Sequence, residues 1–200
     1  YIKSKLKNLS TLNLSKATIV KGGMFDALTK EPWLKENAIP EGFMSSSKTL
    51  TSISFPKNLK EVGASAFSQC KHLQQLQLPK SVETIGEYAF NACSLIKQVK
   101  LPVELKRLEK GAFMYCDSLT TVAVGEKLEF LGEDAFGECK LLAKIAVNEG
   151  NSHYASIDNV LYTANATTLL IYPPARQATS FVTDYKTDSI APFAFKDAAM

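Results

Sequence analysis

The stretch from Leu78 to Leu101 reads LPKSVETIGEYAFNACSLIKQVKL, and its pattern recurs along this chain of 200 residues. AFSQC from Ala66, AFNAC from Ala89, AFMYC from Ala112 and AFGEC from Ala135 mark four copies. Phe67, Phe90, Phe113 and Phe136 are each 23 residues apart, and Cys70, Cys93, Cys116 and Cys139 follow in step. Further apolar columns keep the same register: Val62, Ile85, Leu108 and Leu131; Leu73, Ile96, Leu119 and Leu142; Leu76, Val99, Val122 and Ile145; Leu78, Leu101, Val124 and Val147. A fixed period of this length is the signature of a repeat architecture and takes precedence over any local reading.

Each unit divides in two. LQQLQLP places apolar residues two apart with polar residues between them, as a short half-buried strand does. KSVETIGEYAF spaces Val82, Ile85, Ala89 and Phe90 like a helix, but Gly86 limits this to one or two turns, partly 3₁₀. A unit so small cannot bury its own apolar face, so neighbours must stack. Equal connections set the strands side by side and parallel, at roughly 4.8 Å. The expected fold is an α/β repeat solenoid, with a parallel sheet on one face and short helices or turns on the other.

The ends depart from the period. Leu9, Leu12 and Leu14 carry the strand half of an earlier unit, and the segment from Lys21 to Ala38 then intervenes. IPEGF resumes the pattern at Phe43, which is 24 residues before Phe67, so a local bulge or loop adjustment is expected there. After Val147 the pattern lapses until SIAPFAF restores it at Phe195. Between them IDNVLYTANATTLLIYPP offers two β-rich runs around a polar turn, read as an inserted hairpin at the solenoid edge. The whole chain, 1–200, reads as one domain: an irregular N-terminal repeat (1–49), regular repeats (50–147), the hairpin insertion (148–182) and a last partial repeat (183–200).

The unit from Leu78 to Leu101, with IGxxAFxxC followed by an almost intact LxxVxL (Ile96 at its first position), resembles the BspA-like, Treponema-type leucine-rich repeats of 23 residues. YASIDNVLYTANATTLLIYPP is also similar to an insertion common in Bacteroidetes members, with Asn159 where Gly is usual. Asn tolerates a left-handed backbone, so the turn survives the change. The resemblance implies a leucine-rich repeat fold in a secreted or surface-attached bacterial protein, outer-membrane-anchored or released, often adhesive. It implies no universal catalytic or ligand site. Ala198 stands where Cys is expected after Phe195.

Composition excludes several function classes. The charged residues make up 22% of the chain, and a net charge of +3 is too small to argue for nucleic acid or an anionic membrane. No run of about 18 apolar residues occurs to form a transmembrane segment. The opening YIKSKLKNLS, without an initiator Met, reads as a piece of a longer or processed protein.

Chemistry is sparse. Cys70 lies two residues before His72, but the other units put Leu95, Ser118 and Leu141 at the His position. A repeated Cys beside an unrepeated His belongs to the packing, as free Cys is among the most buried residue types. Structural zinc wants ligands two to four residues apart, which a column of Cys 23 apart does not supply. In-register neighbours also stand beyond the roughly 3.5–4.5 Å that a disulfide needs between Cβ atoms. Four reduced, buried thiols are therefore expected. Glu133, Asp134 and Glu138 cluster in GEDAFGE, on a solvated turn face rather than opposed across a cleft. No P-loop, dinucleotide fingerprint, GxSxG or HExxH occurs. No catalytic residue, metal site or cofactor is assigned.

What is left is surface. The strand positions facing away from the core would line the inner face: Ser52, Ser54, Gln75, Gln77, Gln98, Lys100, Thr121 and Lys144, with Ala123 and Ala146. Tyr154, Tyr162 and Tyr172 on the insertion, with Trp33 in the first loop, are alternative anchors. The expected function is an extracellular, non-catalytic protein–protein interaction module of adhesion type, monomeric, with a protein or glycoprotein partner on a host surface or matrix. The alternative is a structural spacer that presents another domain.

Overall fold

The computed structural model describes residues 8–17, 22–25, 32–178 and 180–198. In chain order the first strands are β1 (Thr11–Asn13), β2 (Gly22–Phe25), β3 (Pro32–Leu34), β4 (Ala38–Ile39), β5 (Ser52–Ser54) and β6 (Glu61–Val62). The regular body follows with β7 (Gln75–Gln77), β8 (Thr84–Ile85), β9 (Gln98–Lys100), β10 (Arg107–Leu108), β11 (Thr121–Val124), β12 (Phe130–Leu131) and β13 (Lys144–Val147). The C-terminal part holds β14 (Tyr154–Ile157), β15 (Val160–Thr163), β16 (Thr168–Ile171) and β17 (Ser189–Ile190).

Together they make a parallel β-solenoid of about seven turns. Two columns of parallel strands run along it. The longer strands β1, β5 and β7, then β9, β11 and β13, form the strand face expected from the sequence. The two-residue strands β4, β6, β8, β10 and β12 form a continuous second sheet. Registers keep the 23-residue period, with Ile53 beside Leu76, Val122 beside Ile145 and Val62 beside Ile85.

The short helices expected on the other face are not there, since no helix occurs among the described residues. The helix-like spacing of Ile85, Ala89 and Phe90 arises from tight turns instead. Each turn places two residues in the left-handed region, Ser65 and Gln69 in one unit and Tyr88 and Ala92 in the next. Such residues interrupt an α-helix. The turn's amides then point along the solenoid: Ser65, Phe67 and Gln69 N–H donate to Glu87, Ala89 and Asn91 O at 2.7–2.8 Å. Backbone groups are satisfied between turns rather than within a helix.

The same hydrogen bonds correct the reading around Phe43. Met44 N–H donates to Ala66 O as Phe67 N–H does to Ala89 O, and Met44 is only 3% exposed. Met44, 23 residues before Phe67, therefore holds the aromatic column's position and no extra residue is inserted. Phe43 instead packs edge-on against Phe67 at 6.2 Å between ring centres. At the N-terminus Leu12 pairs with Ile53, and β2 and β3, antiparallel to each other, fall within the intervening stretch.

Phe67, Phe90, Phe113 and Phe136 stack up the centre at 5.4, 5.1 and 6.0 Å, with ring planes within 16° of parallel. Phe67, Phe90 and Phe113 are fully buried. Outside, ion pairs join charges on successive turns: Lys60 and Lys106 both meet Glu83, Lys110 meets Glu133 and Lys127 meets Glu104.

The insertion is larger than a hairpin. β15 and β16 pair antiparallel as expected, but β14 adds a third antiparallel strand and β17 adds a parallel one. Asp158 and Asn159 join β14 to β15 with φ of 51° and 68°, a two-residue loop of the type that matches strand twist. Asn159 thus takes the left-handed conformation expected of it. Val160, Tyr162, Leu169, Tyr172 and Ala194 form a second small core beside the main one.

Candidate functional site

The strand face presents side chains as the two-residue strand period requires. Ile53, Val99, Val122 and Ile145 turn into the core, whereas Ser54, Gln75, Gln77, Gln98, Lys100 and Lys144 are exposed and Ser52 and Thr121 half-exposed. Pairing puts Ser52 beside Gln75 and Ser54 beside Gln77. It puts Gln98 beside Thr121, and Thr121 beside Lys144. The eight residues therefore fall into two clusters of four, because no ladder joins β7 to β9. That interruption was not foreseeable from repeats of equal length.

The alternative anchors divide differently. Tyr162 and Tyr172 are each 1% exposed and belong to the second core, so they offer no free ring to a partner. The Tyr172 ring stacks on Phe195 at 5.0 Å, and its hydroxyl accepts from Arg176 Nη1. Tyr154 is half-buried against the main core. The side chain of Trp33 lies outside the described residues.

The four cysteines are buried and form no disulfide among the described residues. Cys93, Cys116 and Cys139 each direct the Sγ donor to the carbonyl 26 residues back: Phe67, Phe90 and Phe113 O, at 3.1–3.4 Å. The thiols thus serve as small apolar groups with one weak internal hydrogen bond. Burial pushes the Cys93 thiol well above the usual range. The neighbouring Cys139 thiol and burial do the same for Cys116. A nucleophilic thiolate needs the opposite setting. His72 is exposed at the surface, whereas Cys70 is buried in the core.

Two of the three carboxylates of GEDAFGE are each taken up by a separate lysine. Glu133 pairs with Lys110 at 2.7 Å, and Glu138 with Lys196 at 3.0 Å. No group of three or more His, Cys, Asp or Glu suited to a metal occurs among the described residues. No helix among them is long and apolar enough to cross a membrane.

One important polar residue escaped the sequence reading. Asn151 is 7% exposed and locks the insertion to the solenoid. Its Nδ2 donates to Gly125 O and Leu128 O, while its Oδ1 accepts from the amides of His153 and Tyr154. It stands 23 residues after Leu128, in register with the buried column of Leu59, Val82, Leu105 and Leu128, and its polar type hid it from a search for apolar repeats.

Similarity to known proteins fits this geometry. A leucine-rich repeat protein from Eubacterium ventriosum has 23% identity and a TM-score of 0.73, over 80% of this chain and 42% of that one. The pneumococcal vaccine antigen PcpA has 22% identity and a TM-score of 0.78, over 94% of this chain and 53% of that one. A leucine-rich cell surface protein from Faecalibacterium prausnitzii has 23% identity and a TM-score of 0.50, over 96% of this chain and 62% of that one. The chain spans about half the length of the first two structures. No curated protein matches it. The model of the BspA type leucine-rich repeat region matches six copies over residues 37–165. With the 23-residue register, the stacked phenylalanines and the column of buried cysteines, this match places the chain in the BspA-type leucine-rich repeat family, a typically non-catalytic repeat scaffold.

Proposed function

We propose that the chain is an extracellular interaction module of a bacterial surface or secreted protein, and that its strand face binds a protein or glycoprotein. One observation carries this reading. Gln75, Gln77, Gln98, Lys100 and Lys144 stand exposed on strands whose alternate residues are packed into the stacked core. Long hydrogen-bonding side chains are thereby held at fixed spacing on a rigid support, which lowers the ordering cost of association. The surface setting draws support from the folds shared with the pneumococcal antigen and the cell surface protein.

The test replaces Gln75, Gln98, Lys100 and Lys144 together with Ala. All four are exposed, so the fold should survive, as circular dichroism would verify. Against a panel of extracellular-matrix and host-surface proteins, the native chain should bind and the variant should lose at least about tenfold, or roughly 1.4 kcal/mol. Equal binding by both would remove the strand face as the site. A native chain that binds nothing across the panel would point to a spacer that presents another domain.

A further inference from the structure

The interruption between β7 and β9 has a definite shape. Elsewhere each long strand is tied to its neighbour at its first residues: Thr51 and Ser52 N–H donate to Ser10 O, and Gln74 and Gln75 N–H donate to Thr51 O. Further along, Thr120 donates to Lys97 O, and Ala143 and Lys144 donate to Thr120 O. Among the described residues no such bond runs from Lys97 or Gln98 to Gln74. β7 and β9 are not hydrogen-bonded neighbours and do not run alongside each other as paired strands do at roughly 4.8 Å. A cleft of about 730 Å³ opens there, lined by Gln74, Gln75, Gln77, Leu95, Lys97 and Gln98 around Leu76.

The opening is confined to this face. Behind it β6, β8 and β10 pair without a break, and the rings of Phe67 and Phe90 stay stacked at 5.4 Å. The core is uncovered only on the open side. Leu76 is half-buried, whereas Ile53, Val99, Val122 and Ile145 of its column are buried. Leu78 is half-buried, as is Val147 on β13, whereas Phe55, Leu101 and Val124 of its column are buried.

Two strands with a third between them would stand roughly 9.6 Å apart, twice the paired spacing. Unpaired strand edges also recruit extended chains, because their backbone groups require partners. We infer that the split between β7 and β9 is a slot for an extended peptide segment of the partner, which pairs with both edges as an added strand. This rests on the reading of the strand face as the binding face and names where and how it binds.

The side chains specify the segment. Its inward residue enters the column between Leu76 and Val99, where the chain itself uses Ile53, Val122 and Ile145, so a β-branched apolar residue fits. Its flanking residues point outward beside Gln75, Gln77, Gln98 and Lys100. The lining carries Lys97 and no carboxylate, so acidic flanks are favoured. The occupant is an extended acidic–β-branched–acidic stretch.

The probe is the peptide Thr-Glu-Val-Glu-Thr, acetylated and amidated, titrated into the ¹⁵N-labelled chain. Amide signals of Leu76, Gln77, Gln98 and Lys100 should shift, and exchange of the Gln98 and Lys100 amides should slow. N-methylation at the valine, which removes a backbone donor, should weaken binding at least about tenfold, as should lysine in place of both glutamates. Leu76→Asp should abolish the shifts. Equal binding by the N-methylated peptide, shifts elsewhere only, or no shifts at all would overturn the slot. So would slow exchange of the Gln98 amide without peptide, since the sheet would then be closed in solution. If the peptide failed these tests while a protein partner still depended on the four residues replaced above, the slot would fall and the strand-face reading would stand. Partner binding indifferent to those replacements would instead sink the strand-face reading.

Discussion

Phe90→Ala is the sharpest test of the stacked core. The ring is fully buried, with Phe67 at 5.4 Å on one side and Phe113 at 5.1 Å on the other, and plane angles of 8° and 10°. Loss of a buried aromatic side chain of this kind costs about 3–5 kcal/mol, the transfer term plus the residual cavity. Two stacked neighbours on a continuous column leave little room for collapse, so the upper half of that range, about 4–5 kcal/mol, is expected. Phe113→Ala alone should cost a similar amount. The double variant should be non-additive by at least about 0.5 kcal/mol, because the two rings touch. Phe193, which is 71% exposed, gives the control: its replacement by Ala should stay within about 0.5 kcal/mol. Urea unfolding followed by circular dichroism supplies the free energies by linear extrapolation. A Phe90→Ala loss below about 1 kcal/mol, or a loss no larger than that of Phe193→Ala, would refute the column as a source of stability.

The remaining predictions concern the thiols, one glycine and one carboxylate. All four cysteines should react slowly with a thiol reagent in the native chain and fully after denaturation; a Cys70–Cys93 or Cys116–Cys139 bridge found by mass spectrometry would contradict the buried, reduced column. Gly86→Ala should destabilise by about 1–3 kcal/mol, since a Cβ there would lie 2.7 Å from Ala64 N and 2.8 Å from Gly63 C in the turn beside it; an unchanged denaturation midpoint would refute this close approach. Hydrogen bonds from Lys60 and Lys106 hold the Glu83 carboxyl down from 4.5 to about 2. A depressed carboxyl stabilises the fold above its unfolded value, so this contribution should be complete above about pH 5 and lost as pH falls from 4.5 toward 2. NMR titration of Glu83 should show the low midpoint, and high salt should raise it because both partners are exposed; a midpoint near 4.5 at low salt would remove the inter-turn ion pairs from solution.

The sequence by itself determined the repeat length, the parallel stacking and the identity of the core columns. Those follow from periodicity, which needs only that each unit meet its copy in register. Phe90, Cys93, Ile96 and Val99 could be assigned to the interior, and Gln98 and Lys100 to the exterior, before any coordinates. Tertiary structure decided three things that depend on contacts between units. Turns replaced the short helices because the amides of Ser65, Phe67 and Gln69 find acceptors one turn away, 22 residues on, rather than in their own segment. Met44 displaced Phe43 from the column because hydrogen bonds between turns, not residue type, set the register. The strand face parted between β7 and β9 although both strands carry the repeat pattern. Each unit encodes a shape able to stack, but whether two given strands close upon each other depends on backbone hydrogen bonds that leave no mark on a pattern of side chains.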